Sequence, residues 1–345
     1  MRLMKRLICA GLALCLLLCG CAGQKPAENK KYNASFLTLF DTVTTIVGYA
    51  ESQEAFSRTT QEIYDSLEMY HQLFDIYHEY EGIANLKTVN DNAGIAPVTV
   101  DGRIIELLLA CKEYYTLTGG RVNVAMGSVL QLWHEARNDG INDPANASLP
   151  EAAALEEAVK HTDIDCLIID EKASTVYLSD PMMRVDVGAV AKGWAAQKVS
   201  EMAPEGLLIS VGGNVCATGP KDASGTPWVV GVQDPAGSAE DYLHTLYTTS
   251  GSVVTSGDYQ RTYTVDGKQY HHIIDPDTGY PGEYWRSVTV VCDHSGTADA
   301  LSTALFLLPL DEGQVLLDQV GAEAMWVDGE GNTFYSPGFE VLIRT

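Results

Sequence analysis

The chain has 345 residues, enough for one large domain or two small ones at roughly 100–200 residues per domain. Apolar residues make up 46% and charged residues 20%, which is the composition of a folded protein with a sizeable core and not of a disordered chain. Only 22 basic side chains stand against 46 acidic ones, a formal net charge of -24, which argues against nucleic-acid binding and against a polybasic membrane patch but leaves room for a phosphate ligand.

Arg2, Lys5 and Arg6 precede the apolar run Leu7–Leu18. That run is too short for an ordinary spanning helix of about 20 residues. A basic start, a short apolar run and a small residue before the cut predict a signal peptide over residues 1–20. Leu18-Cys19-Gly20-Cys21 resembles a bacterial lipobox with Cys21 as the lipidated residue; a plain signal peptide without lipid is the alternative. Removing residues 1–20 takes away three basic and no acidic groups, so the formal charge goes from -24 to -27. Residues 21–35 read as a tether. Residues 36–345 read as one catalytic unit, because no Pro/Gly/Ser-rich linker divides them. Cys111, Cys166, Cys216 and Cys292 are widely spaced, without zinc-ligand spacing, and read as free thiols.

Leu37–Tyr49 is a β-rich run. Glu51–Phe74 predicts a helix with Ile63, Leu67, Tyr70 and Phe74 on one face, and a second helix follows Asp101 with Ile104, Leu108, Cys111 and Tyr115 as its stripe. Ala152–Lys160 is a short helix behind Pro150. Leu167–Asp170 with Thr175–Leu178 predicts a hairpin, and so does Ala324–Val327 with Thr333–Tyr335. Leu207–Val211, Trp228–Val232, Leu243–Thr248 and Ser287–Cys292 are further strands. Asp266-Gly267 is a type I′ turn signal between Thr262–Val265 and Gln269–Ile274. Helices are predicted within 189–202 and 298–308. Hairpins without regular βαβ alternation point to an α+β fold, mostly antiparallel strands with flanking helices.

Four segments carry candidate chemistry. Asp299 and Thr303 stand four apart, so a helix puts a carboxylate and a hydroxyl on one face, both hard oxygen ligands suited to Mg²⁺ beside a phosphate; a helix start with Asp in its first turn is the alternative. Asp186-Val187-Gly188-Ala189-Val190-Ala191-Lys192-Gly193 runs from a strand into a helix, with small residues for close ligand approach, Asp186 as an acceptor and Lys192 in reach of a phosphate; a packed junction explains it equally well. Ser210-Val211-Gly212-Gly213-Asn214 is either a tight turn or an anion-cradling nest. In His271-His272-Ile273-Ile274-Asp275-Pro276-Asp277-Thr278-Gly279, a strand would set the two His on opposite faces, leaving one free to accept a hydroxyl proton.

Taken in order, and with Ser256-Gly257-Asp258-Tyr259 between the last two and Ala298–Ala304 after them, these motifs resemble the ApbE family of FAD:protein FMN transferases. Phe40-Asp41-Thr42 and Trp228–Pro235 add to the match, which spans about residues 36–340. The resemblance implies an ApbE-like, T-fold-like two-lobed unit that uses Mg²⁺ and FAD. It would transfer FMN to a Thr or Ser hydroxyl of an acceptor protein, a membrane-associated or exported redox protein, and release AMP. It further implies that Asp299, Thr303 and the Ala189 backbone oxygen hold the metal, that Asp186, Lys192, Tyr77, Phe40 and His272 contact FAD, and that His272 is also the base or the group orienting the acceptor hydroxyl. Many members read Gly-Ala-Phe-Asp where this chain has Gly120-Arg121-Val122-Asn123; Arg121, Val122 and Asn123 occupy an FAD-contact position, with Arg121 a candidate for a phosphate. An FAD pyrophosphatase and a non-catalytic flavin-binding lipoprotein are the rival readings. An exported, lipid-anchored protein on the outer side of a bacterial membrane is the implied location.

Overall fold

The structure is a computed structural model and describes residues 29–238 and 240–344. The signal peptide, Cys21 and the first part of the tether lie outside the described residues. Eight α-helices run along the described chain: α1 (Gln53–Phe74), α2 (Leu86–Asp91), α3 (Gly102–Leu117), α4 (Gly127–Asn142), α5 (Ala152–Ala158), α6 (Ala191–Met202), α7 (Ser295–Phe306) and α8 (Leu310–Val320). The strands of the main sheet are β1 (Lys30–Phe36), β2 (Thr44–Ala50), β6 (Leu207–Val211), β7 (Asn214–Ala217), β10 (Gly251–Gly257), β13 (Ser287–Cys292), β14 (Glu323–Val327) and β15 (Thr333–Tyr335). They lie side by side in that order, each antiparallel to the next. Three small antiparallel sheets complete the fold: β3 (Val98–Thr99), β5 (Thr175–Leu178) and β4 (Leu167–Asp170); β8 (Trp228–Gln233) with β9 (Tyr242–Thr248); and β11 (Tyr263–Val265) with β12 (Lys268–Tyr270). The α+β expectation is met.

Alternating side chains divide the main sheet into two buried faces, as a period of two requires. Ile46, Ile209 and Val211 meet Phe56, Ile63 and Leu67 of α1, together with Ala195, Ala196 and Val199 of α6. Val254, Val288, Val290 and Trp326 continue that face under α7. Val253, Met325 and Val327 point the other way, against Val230, Val232 and Leu246 of the β8–β9 hairpin and Phe339. A further apolar group joins Met126, Val129 and Trp133 of α4 to Leu155 of α5 and to Tyr263 and Val265 of β11.

The chain enters the sheet earlier than its composition suggested. Lys30–Phe36 pairs along its whole length with β2, and Tyr32, Ala34 and Phe36 pack on the α1 cluster, so residues 30–35 are strand and not tether. The predicted strand 37–49 is broken by a 3₁₀ turn at Leu39–Asp41, where Phe40 and Asp41 take left-handed φ of 55° and 51°. Gly212 and Gly213 form the two-residue turn of the β6–β7 hairpin, with positive φ at both, so the tight-turn reading holds there. Asp266 and Gly267 likewise both have positive φ, as a type I′ turn demands. The strand predicted to Ile274 ends at Tyr270, so His271 and His272 are not on opposite faces of a strand. No helix among the described residues is long and apolar enough to cross a membrane.

Candidate active site

Between the α6–α7 layer and the α4/β11–β12 layer lies a cavity of about 730 Å³, within the usual range for a small-ligand or cofactor site. Its floor carries Asp186, Ala189, Lys192, Asp299 and Thr303. Phe40 and Tyr77 stand on one wall, His272 on another, and Arg121, Val122 and Asn123 on a third. Every site residue anticipated from the sequence inside the described chain therefore lines one cavity.

The floor is built by close helix packing. Gly193, in the first turn of α6, lies against α7; a Cβ there would sit 2.5 Å from Asp299 Cβ and 2.5 Å from the Ser295 carbonyl oxygen. This approach lets Gly193 N–H donate to Asp299 Oδ2 at 2.8 Å instead of along its own helix, which leaves the Ala189 carbonyl out of the α6 ladder. α7 begins at Ser295 behind the His294 cap, so Asp299 stands in its second turn, and the helix-start reading of that residue does not hold. Asp299 is only 4% exposed. Burial pushes its carboxyl above the ordinary Asp range, opposed by Lys192 and the Gly193 N–H. A buried carboxylate with one N–H partner, a hydroxyl one turn on at Thr303 and a released carbonyl make a hard-oxygen donor set that fits a divalent cation completed by phosphate and water. The described residues hold no cluster of three His, Cys, Asp or Glu side chains close enough to bind a metal.

Asp186 accepts the Gly188 N–H at 2.8 Å, and its own N–H donates to the Val124 carbonyl, which pins the segment entering α6 against the loop before α4; that segment is irregular chain with one isolated bridge at Arg184, not the strand expected from the sequence. The cavity walls surround its carboxyl, and burial raises its pKa against the pull of Gly188 N–H, His134, Arg261 and Lys192. Lys192 Nζ reaches back to the Gly188 carbonyl at 3.4 Å.

The two histidines separate by hydrogen bonding. His271 Nε2 lies 2.9 Å from the Gly282 carbonyl and its Nδ1 accepts the Ile273 N–H, so the ring is a fixed neutral tautomer. His272 Nδ1 is buried without a hydrogen-bond partner. Burial, then Arg261 and Lys192, lower the His272 pKa to about 3, so its ring is neutral at ordinary pH. Unpartnered buried polar atoms are rare and costly, and they concentrate where a ligand completes them.

The aromatic wall rests on a hydrogen-bonded chain. Phe40 N–H donates to His71 Nδ1 at 3.3 Å; His71 Nε2 faces Tyr80 OH at 3.4 Å; and Tyr80 OH donates to Asp75 Oδ2 at 2.8 Å. Asp75 also accepts the N–H groups of Tyr77 and His78, which fixes the loop after α1. Tyr77 stacks on His134 at 5.1 Å between centroids. Burial, then the Asp186 charge, pushes the Tyr77 hydroxyl up to about 12, so it stays protonated.

Arg121 is not offered to a phosphate. Its guanidinium lies 3.1 Å from Asp275 and 2.7 Å from Asp277, and so clamps the turn that follows His272. Asn123 donates to the Thr162 carbonyl and accepts the Ala125 N–H, and the Val122 N–H goes to Thr118 Oγ1. These three shape the wall through structural bonds. Sequence reading missed His71, Asp75, Tyr80, His134, Arg137 and Arg261, all of which line the cavity. His134 and Arg137 sit one turn apart on α4; that spacing was the available signal, but α4 itself was not recognised.

The sequence model of the ApbE family matches residues 40–326, most of the chain and all of these floor and wall segments. The chain belongs to the ApbE family. Among ApbE relatives, the FAD:protein FMN transferase of Treponema pallidum is 31% identical over 362 residues, covering 97% of this chain and 94% of the relative. That of Klebsiella pneumoniae is 32% identical over 260 residues, covering 72% and 78%. The crystal structure of the ApbE protein from Thermotoga maritima superimposes with a TM-score of 0.81 at 31% identity, covering 92% of this chain and all of that one.

Proposed function

We propose that this chain is an FAD:protein FMN transferase that moves FMN from FAD to a Thr or Ser hydroxyl of an acceptor protein and releases AMP. The acceptor oxygen forms a new bond to the FMN phosphorus, the bond from that phosphorus to the bridging oxygen breaks, and AMP leaves with the proton given up by the hydroxyl. The relatives named for this activity support the reading, and the observation that carries it to this chain is the floor: Asp299, Thr303 and the Ala189 carbonyl beside Lys192 and the unpartnered His272.

In this reading Asp299, Thr303 and the Ala189 carbonyl hold Mg²⁺, which when bound stabilises the charge of the phosphoryl oxygens as a Lewis acid. Lys192 binds the diphosphate by charge, and Asp186 orients the ligand as an acceptor. Phe40 and Tyr77 flank a planar ring. His272 accepts the hydrogen bond of the acceptor hydroxyl and orients it for in-line attack. A pKa of about 3 makes a weak base, but a bound diphosphate places negative charge near the ring and raises it toward the range where proton transfer is efficient.

The location belongs to the same proposal. The basic start, the short apolar run and Cys21 support export and a lipid anchor on the outer side of a bacterial membrane, near an exported or membrane-associated redox acceptor. The test is stoichiometry. With FAD, Mg²⁺ and a hydroxyl-bearing acceptor protein, AMP should appear in equal amount to acceptor consumed, and EDTA should stop both. AMP accompanied by free FMN, with the acceptor unchanged, would establish the pyrophosphatase instead.

A further inference from the structure

Lys192, the cation anticipated from the sequence, is not alone in the cavity. Arg137 of α4 and Arg261 of the β10–β11 loop line it as well. Arg137 is half-buried and donates to His134 Nδ1 at 2.8 Å, the same ring that stacks on Tyr77. Arg261 is exposed at the rim on left-handed backbone, φ 48°. Neither guanidinium has a carboxylate within ion-pair distance among the described residues, although the chain carries 46 acidic side chains. Arg121 and Arg286, by contrast, are both paired.

Asp186 draws on Arg261 from beyond ion-pair distance, but no carboxylate touches either guanidinium, and the charged form of Arg137 is disfavoured first by burial and then by Arg261. A guanidinium does not relieve this by losing its proton, so an anion must. The pair extends the cationic lining beyond Lys192. Lys192 alone among the cations bears on Asp299, Arg261 bears with Lys192 on Asp186, and Arg137 and Arg261 bear on Tyr77 and His134. His272 feels both groups. A ligand reaching from the floor past His272 to Tyr77 therefore passes all three cations.

We infer that Arg137 and Arg261 form a second anion subsite that holds the diphosphate of FAD from the Tyr77 side, together with Lys192, so that the cavity selects dinucleotide over uncharged flavin. This rests on the transferase reading. His134 then has a role of its own: it accepts from Arg137 and stacks on Tyr77, which ties the anion subsite to the aromatic wall.

The test is direct binding to the full chain, without acceptor and with EDTA so that FAD stays intact. FAD and riboflavin are titrated against wild type, Arg261→Gln, Arg137→Gln and Arg137→Lys, each checked for an unchanged melting temperature. Arg261→Gln should weaken FAD binding about tenfold and leave riboflavin binding unchanged, because it removes charge and no ring contact. Raising salt should weaken FAD binding to wild type more than to the variant. Arg261 is exposed, so its replacement does not endanger the fold. Arg137→Lys should keep more FAD affinity than Arg137→Gln. Equal losses for FAD and riboflavin would overturn the subsite, and so would unchanged FAD binding with a raised KM for the acceptor protein. Wild type that binds no FAD would overturn the transferase reading as well; wild type that binds it, with indifferent variants, would overturn this inference alone.

Discussion

Asp299 accepts one N–H, from Gly193, and is otherwise a buried carboxyl beside Lys192. Asp299→Asn keeps an acceptor for Gly193 and removes the charge that a cation needs. Transfer should fall by about 100-fold or more in a turnover assay, while the melting temperature moves by no more than about 2–4 °C. Loss of fold with loss of activity would make Asp299 structural. His272 has the opposite character: it is neutral and unpartnered. On the proposed reading, His272→Ala should slow transfer by about 10²–10⁴-fold and weaken FAD binding far less, because the chief task given to the ring is the acceptor hydroxyl. A large loss of FAD binding would contradict that division. Both residues were legible in the sequence because their motifs are short and local. Arg121 was misread because its partners, Asp275 and Asp277, lie more than 150 positions away, and no local pattern announces such a pair.

Among the elements, α6 and α7 decide the site. Gly193→Ala would drive a methyl into Asp299 and the Ser295 carbonyl. Overpacking of this kind costs about 1–3 kcal/mol, so the variant should melt several degrees lower and lose activity beyond what its folded fraction explains. Activity per folded molecule equal to wild type would show that the close approach does not shape the floor. The hairpins, α1, α3 and α6 were foreseen because each has a clear period or a turn signal. α4 was not: its fully buried positions include Gly127 and Gly140, it has no side-chain cap, and its apolar stripe is thin. β10 was also missed, since Gly251-Ser252 and Ser256-Gly257 look like loop, yet it lies in the middle of the main sheet between β7 and β13. Tertiary packing overrides weak propensity in both cases. Missing α4 is what hid His134 and Arg137.

For the whole molecule, the acid excess and the cationic cavity belong together: a chain of net charge -24 needs local Lys and Arg to hold a diphosphate. Three partly buried histidines set its acid sensitivity. Burial lowers the pKa of His271, His272 and His294, and the first and last use Nδ1 to accept the N–H groups of Ile273 and Thr297. As pH falls through about 6.5 the unfolded chain takes up protons that the folded chain refuses, so stability drops on acidification toward the His272 value of about 3. The melting temperature should therefore fall steadily below about pH 6.5, and His271→Gln should flatten part of that slope; a flat profile would contradict the neutral assignment. The central claim is the transfer itself, and intact-mass measurement of an acceptor protein incubated with FAD, Mg²⁺ and this chain tests it most directly. The account predicts an acceptor heavier by one FMN less one water, with wild type and not with Asp299→Asn. An acceptor of unchanged mass, whether FAD survives or is split to FMN and AMP, would contradict it.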